Sequence, residues 1–213
     1  MNDKIAKVRT YAKENMSKDR SGHGFDHIQR VANMVLQLMG TEPANGEIAL
    51  TAAYLHDVFD DKIASDPDAK RDEVKAKLTE FGFDQAEINQ VMDIINHMSF
   101  SDNIEHKQSL SKEGQIVQDA DRLDAIGAIG IVRAFQYGGA HGRTIYDPNI
   151  KPRDLTTKAA YRNAVDDTTI NHFYEKLFKI ASDLNTDAAK QIGKKRTQYM
   201  RDFVTEFKQE WDQ

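Results

Sequence analysis

Apolar residues recur at intervals of three and four along most of the chain, the period of an α-helix with one buried face. Ile28, Val31, Val35 and Leu38 form one such stripe, and Ile88, Val91, Met92 and Ile95 form another. Both read as the core-facing sides of helices. Prolines stand only at 43, 67, 148 and 152, each beside turn-forming or polar residues, so the intervals between them are open to helix. The pattern predicts helices over about 3–16, 25–39, 46–60, 68–81, 84–98, 112–138, 157–184 and 187–211. Asp84-Gln-Ala-Glu87 has the form of a capping box, and Thr186 is placed to cap the last helix. The fold class is therefore all-α, and with no internal repeat or low-complexity segment a single domain over 1–213 is expected. One segment departs from the pattern. Residues 136–154 are rich in Gly and Pro and long for a connection inside a compact domain, which reads either as a lid or binding loop or as a disordered surface segment.

Composition narrows the function classes. Twenty-nine Lys and Arg against 34 Asp and Glu leave a net charge of −5, which gives no global attraction to nucleic acid or to an anionic membrane. With 39% hydrophobic and 30% charged residues the chain can bury a core under a solvated surface. The absence of cysteine removes disulfides, thiolate metal sites and cysteine nucleophiles, and agrees with a reducing compartment. The first 16 residues mix charges with apolar positions, unlike a signal peptide, and the apolar run Ala125–Val132 is far short of the ~20 residues that span a bilayer. A cytoplasmic protein is expected, with no membrane or nucleic-acid partner.

Three places set metal-compatible side chains among apolar, helical neighbours: His27, the pair His56-Asp57, and Asp121. His27 shares a helix face with Val31, Met34 and Leu38, so its imidazole points inward. His56 ends the stripe Ala49, Ala52, Ala53, and Asp57 follows in an apolar setting where a carboxylate needs a cation or several donors. Asp121 has Ala125 and Ala128 on its own face, which favours close helix packing. A cap or an ion pair would explain any one of the three. Together, two imidazoles and two carboxylates suit Mn, Fe, Co, Ni, Zn or Mg, with positions left open for water and a substrate oxygen.

His27-Ile-Gln-Arg-Val31, His56-Asp57 and Ala120-Asp-Arg-Leu-Asp-Ala125 resemble the H…HD…D signature of the HD-domain metal-dependent phosphohydrolases. The segments 117–130 and Asn171-His-Phe-Tyr-Glu-Lys-Leu177 look like the small bacterial, single-domain branch of that superfamily, so the resemblance covers roughly the whole chain. It implies an HD-type helical bundle, with the metal site on 27–121 and helices within 157–211 completing it. His27, His56, Asp57 and Asp121 are then the ligands of one divalent ion, Mn first, with Mg, Co, Ni, Fe or Zn as alternatives. Asp119 and Asp124 are assigned to the surroundings of the site or to the surface. Gly24 stands where many members of the branch carry an Asp, a role Asp26 is placed to take over.

His56-Asp-Val-Phe-Asp-Asp-Lys62 also resembles a segment of guanosine tetraphosphate hydrolases. On that likeness Asp60 and Asp61 are candidates for the general base and Lys62 for a phosphate contact, against the alternative of a solvated helix end. Further candidates for substrate binding are Arg20, His23, Arg30, His97, Arg122 and Lys176. His97 and His106 also fit, in order but not in spacing, the extra histidines of dinuclear HD proteins; His106 is expected at the surface. Gly138-Gly-Ala-His-Gly-Arg-Thr144 looks superficially like a phosphate-binding P-loop but lacks its first Gly and its Lys.

The resulting expectation is a metal-dependent phosphohydrolase acting on nucleotides, either a nucleoside triphosphate pyrophosphohydrolase or a nucleotidase. The alternatives are a guanosine tetraphosphate-type or other phosphodiester hydrolase, a dinuclear-iron HD oxygenase, and a nucleotide sensor without turnover. The partner is a small-molecule nucleotide, and homodimer formation is left open.

Overall fold

The computed structural model describes residues 3–17, 24–59, 66–99, 108–154 and 168–211. Among them helices dominate, no strand is formed, and the only extended pairing is an isolated bridge between Thr144 and Thr168. The all-α expectation holds. The helices are α1 (Asp3–Met16), α2 (Phe25–Met39), α3 (Gly46–Leu55), α4 (Pro67–Glu80), α5 (Gln85–His97), α6 (Lys112–Asp124), α7 (Gly127–Ala140), α8 (Thr169–Glu175) and α9 (Asp187–Trp211), with a 3-10 helix over Leu177–Asp183. The chain divides into two compact units, residues 1–99 with 108–120 and residues 100–107 with 121–213.

In the first unit α3 is the central helix, packed against α1, α2 and α5. Its sequence explains this place, because Ile48, Ala49, Thr51, Ala52, Ala53, Tyr54 and Leu55 are all buried and leave it almost no polar face. The stripes of α2 and α5 close on it, with Ile28, Val31, Val35, Leu38, Ile88, Val91, Met92 and Ile95 all buried. The capping box forms: Asp84 accepts from the Glu87 amide at 2.8 Å, and Glu87 accepts from the Asp84 amide at 2.8 Å.

In the second unit α9 lies against α7 and the 3-10 helix, and α8 lies against α7 and the 3-10 helix. Phe173 is fully buried and touches Phe135, Phe178 and Phe203, so one aromatic cluster joins α7, α8, α9 and the 3-10 helix. Burying a ring of that size stabilises the unit by about 1.5–3 kcal/mol. Thr186 caps α9 as expected, accepting from the Ala189 amide at 3.3 Å.

Two expected helices are broken. The span 112–138 divides at Ala125-Ile126, because Gly127 adopts φ +80° and lies so close to Arg196 that a Cβ would meet its Cγ at 2.9 Å. Ala128 consequently belongs to α7 and is exposed, so it does not share a packed face with Asp121. The span 157–184 becomes α8 followed by the 3-10 helix, its earlier residues lying outside those described.

α7 continues through Gly138 and Gly139 to Ala140, so these glycines are helical and form no phosphate loop. Gly138 is required by contact, since a Cβ there would collide with Thr169 Oγ1, whereas Gly139 has open space. Gly138→Ala should therefore lower unfolding stability by about 1–3 kcal/mol, while Gly139→Ala should raise it by about 0.5–1 kcal/mol through better helix propensity. Urea unfolding of the two variants checks the contrast; equal effects would contradict the close α7–α8 contact.

Candidate metal centre

His27 lies in the first turn of α2 and is 1% exposed, turned inward with Val31 and Leu38 as its face requires. His56 and Asp57 follow the end of α3, in a turn over 56–59 and not in the helix to residue 60 that periodicity predicts. His56 itself keeps helical dihedrals, φ −59° and ψ −32°, as the residue that ends α3.

The three side chains converge. His27 Nε2 and His56 Nε2 are 3.2 Å apart, and Asp57 Oδ2 lies 3.5 Å from each. His56 Nδ1 is 2.8 Å from the Ala53 carbonyl, one of the orphan acceptors at the end of α3. That carbonyl can only accept, so Nδ1 carries the hydrogen and the Nε2 lone pair faces His27 and Asp57. A divalent ion with bonds of about 2.1 Å spaces neighbouring ligands by about 3.0 Å at right angles and about 3.4 Å at the tetrahedral angle. The triangle matches these edges, and its donor set of two imidazoles and one carboxylate suits a divalent transition ion. The residues therefore fit a metal.

The remaining sequence candidates have various settings. Asp121 is half-buried near the end of α6, in the second unit. Asp119 is fully enclosed, and Asp124 is buried and paired with Arg133 at 2.8 Å, so neither is a surface group. Arg122 is also buried, and its Nη1 donates to the Asp183 carbonyl at 2.6 Å, tying α6 to the end of the 3-10 helix; Arg196 does the same for the Leu123 carbonyl at 2.6 Å. Arg30 donates to Asp26 at 2.7 Å on the surface of α2. His97 ends α5, partly exposed, 3.0 Å from Asp93. Lys176 is half-buried at the junction of α8 and the 3-10 helix. Arg20, His23, Asp60, Asp61, Lys62 and His106 lie outside the described residues.

The 136–154 segment is not a detached loop. Beyond α7 it is fastened along α8: the Thr169 and Ile170 amides donate to the Thr144 and Ile145 carbonyls at 2.9 and 3.0 Å, and Asn171 Nδ2 donates to the Ile150 carbonyl at 2.9 Å. Arg153 then donates through its amide, Nε and Nη2 to Glu175, each at 2.9 Å. Burial alone would raise the Glu175 carboxyl, but these Arg153 hydrogen bonds outweigh it and hold the group below its ordinary value. His172, on the same short helix, is hemmed in. Its enclosure first, then the positive charges of Lys176, Arg143 and Arg153, push the imidazole down to about 3, so it is neutral at ordinary pH. Sequence reasoning found Lys176 but not Arg143, Arg153, His172 or Glu175; the only local signal was the Asn171–Leu177 segment.

Known proteins agree with this architecture. The HD domain family matches residues 24–126, which contain all three converging side chains. Bacillus subtilis YpgQ, an uncharacterised protein, is 35% identical over 204 residues, covering 95% of this chain and 91% of its own. This chain belongs to the HD-domain superfamily of hydrolases. A crystal structure of YpgQ in complex with ADP superposes with TM-score 0.76, at 31% identity over 97% of each chain. A Lactobacillus plantarum protein gives TM-score 0.89 at 45% identity over 100% of this chain and 98% of its own. An HD-superfamily hydrolase from Bacillus thuringiensis gives 0.77 at 42% identity over 98% and 97%. No helix among the described residues is long and apolar enough to cross a membrane.

Two outcomes are expected. Chelator-treated protein should take up a divalent ion in equilibrium dialysis, and His27→Ala or His56→Ala should each weaken uptake at least about 100-fold; unchanged uptake in both would dissolve the site. Glu175, with its folded pKa depressed, contributes stability above its unfolded pKa that is lost as pH falls through the folded value. Glu175→Gln should therefore lower the melting temperature at pH 7, and the gap from the parent protein should shrink as pH drops below about 4.5. A gap constant with pH would contradict the ion pair.

Proposed function

We propose that this HD-superfamily hydrolase is a divalent-metal-dependent phosphohydrolase that acts on nucleotides, triphosphates foremost. The reading is carried by the His27–His56–Asp57 triangle, a buried set of two imidazole nitrogens and a carboxylate oxygen at metal-ligand spacing. The ADP bound to its relative YpgQ supports a nucleotide ligand. A divalent ion held there, Mn first, supplies Lewis acidity toward a phosphoryl oxygen and toward water.

The residues of the chain divide the remaining work. The Ala53 carbonyl fixes the His56 tautomer, and so keeps Nε2 available as a ligand without a proton having to leave. The enclosure of His27, His56 and Asp57 limits competing water and strengthens electrostatic interactions at the site. Asp121 is proposed as a further ligand on the strength of its Ala-Asp-Arg-Leu pattern. Asp60 and Asp61 are proposed to orient the attacking water and accept its proton. Arg20, His23, Arg30, Lys62, His97 and Lys176 are proposed as contacts for substrate. Arg122, whose Nη1 also donates to the Asp183 carbonyl, is proposed with them. We read residues 1–213 as one functional domain.

The test is metal-stripped protein resupplied with Mn, Mg, Co or Ni and given mono- and triphosphate nucleotides, with phosphate and pyrophosphate measured separately. Pyrophosphate from a triphosphate is expected, and Asp57→Ala should lower turnover at least about 1,000-fold while the protein stays folded, a loss of about 4 kcal/mol in transition-state stabilisation. Full activity in Asp57→Ala, or no product with any metal and nucleotide, would overturn the reading.

A further inference from the structure

α7 has two unlike sides. Gly130, Ile131, Phe135 and Gly138 face the rest of the second unit: Gly130, Ile131 and Gly138 are buried, and the Phe135 ring meets Phe173 and Phe203. Ile129, Val132, Gln136 and Gly139 lie on the opposite side and are all exposed, Ile129 at 44% and Val132 at 63%. A solvated helix ordinarily covers such a side with charge, as α4 does with its Lys75–Asp72 and Lys77–Glu80 pairs. α7 has one charged residue, Arg133, and its Nη1 is turned to Asp124 at 2.8 Å. The outer side is therefore a nearly apolar stripe, flanked by the exposed Ala128 and Ala140.

The pattern of this stripe selects its occupant. Positions 129, 132, 136 and 139 are spaced three, four and three apart, the seam of a helix that packs along another helix. When two copies run antiparallel about a two-fold axis at residue 134, Ile129 of each meets Gly139 of the other, Val132 meets Gln136, and Ala128 meets Ala140. A large side chain thus falls on a small one at both ends of the seam, so the stripe fits a second copy of itself. Gly139 is an independent sign. A helical glycine is unfavourable, and its own chain gives no reason for this one, because a Cβ there would meet nothing within 4 Å. Charge agrees, since the stripe offers no cation to an anionic partner and no like charge to oppose its own copy, whereas the chain as a whole carries −5. One helix face about 21 Å long and about 10 Å wide is smaller than the ~800 Å² per partner of a standard stable interface, so the contact forms and dissolves with concentration.

We propose that α7 is the seam of a reversible homodimer, in which two copies of this chain pack their α7 helices antiparallel with Ile129 of each seated over Gly139 of the other. The inference depends neither on the nucleotide reading nor on the metal centre. It gives a task to the apolar residues that α7 leaves in water.

Sedimentation equilibrium of the full chain between about 1 µM and about 1 mM should show a reversible shift from monomer to dimer. Val132→Glu sets a carboxylate in each half of the seam and should weaken dimerisation at least about tenfold. Leu36→Glu, at an exposed apolar residue of α2 in the first unit, should leave it unchanged. Gly139→Ala should weaken dimerisation about tenfold while stabilising dilute, monomeric protein against urea, a pair of opposite effects that helix propensity alone does not produce. Because the chain has no cysteine, the register can be read directly. Ile129→Cys with Gly139→Cys in one chain should give a disulfide-linked dimer on oxidation, and neither substitution alone should, since antiparallel packing sets equal positions about 15 Å apart along the seam. Melting curves show whether each variant is folded; should Val132→Glu fail to fold, Gly139→Ala and the cross-link carry the test. Parent protein that stays monomeric over the whole range would overturn the proposal. So would dimerisation that folded Val132→Glu leaves intact or Leu36→Glu abolishes, or a dimer cross-linked through Ile129→Cys alone.

Discussion

His27 Nε2, His56 Nε2 and Asp57 Oδ2 face one another inside the first unit at 3.2 to 3.5 Å, and much of that unit is arranged so that they can. Polar atoms so close, and so well removed from water, need a proton or a cation between them. His56 cannot turn away, because its other nitrogen is held by the Ala53 carbonyl. α3 ends at Leu55, directly before the two residues that meet there, and it is apolar on nearly every side, which carries them into the interior. The helices around it then follow: α2 brings His27 on its buried face, and α1 and α5 cover what remains of α3.

The second unit solves a different problem. α8 is only seven residues long, too short to be stable alone, and is held by the aromatic cluster around Phe173 on one side and by the 143–154 segment on the other. Gly138 permits the close approach of α7 to α8, and Gly142, with φ +66°, lets the chain turn back directly after α7. The Arg153–Glu175 pair fixes the far end of the segment, its carboxylate fully enclosed and satisfied by three donors. Arginines also stabilise the end of α6, where Arg122 and Arg196 donate to carbonyls and Arg133 pairs with Asp124.

Local chemistry was readable before any coordinates. The stripes of α2 and α5, the capping box at Asp84 and the cap at Thr186 all depend on residues three or four apart, and all formed as read. His27 was legible as an inward residue for the same reason, and His56-Asp57 as an unusual pair in an apolar setting. The helix breaks were less accessible. Nothing between 112 and 138 is a proline, and the close approach of Arg196 to Gly127 comes from far along the chain. The end of α3 was likewise hidden, because the alanines before it favour continuing the helix.

By itself, then, the sequence determined the helical class, the register of most helices and the side chains able to hold a metal, because each is written in short-range periodicity and residue chemistry. Tertiary structure decided which polar residues have tasks within the protein. Nothing local to Arg122 marks its bond to the Asp183 carbonyl, 61 residues away. Arg143 looked like a broken motif until the bridge from Thr144 to Thr168 set it beside α8. A charged side chain carries no local mark of its partner, and only the folded chain brings distant acceptors and cations within hydrogen-bonding or Coulombic range.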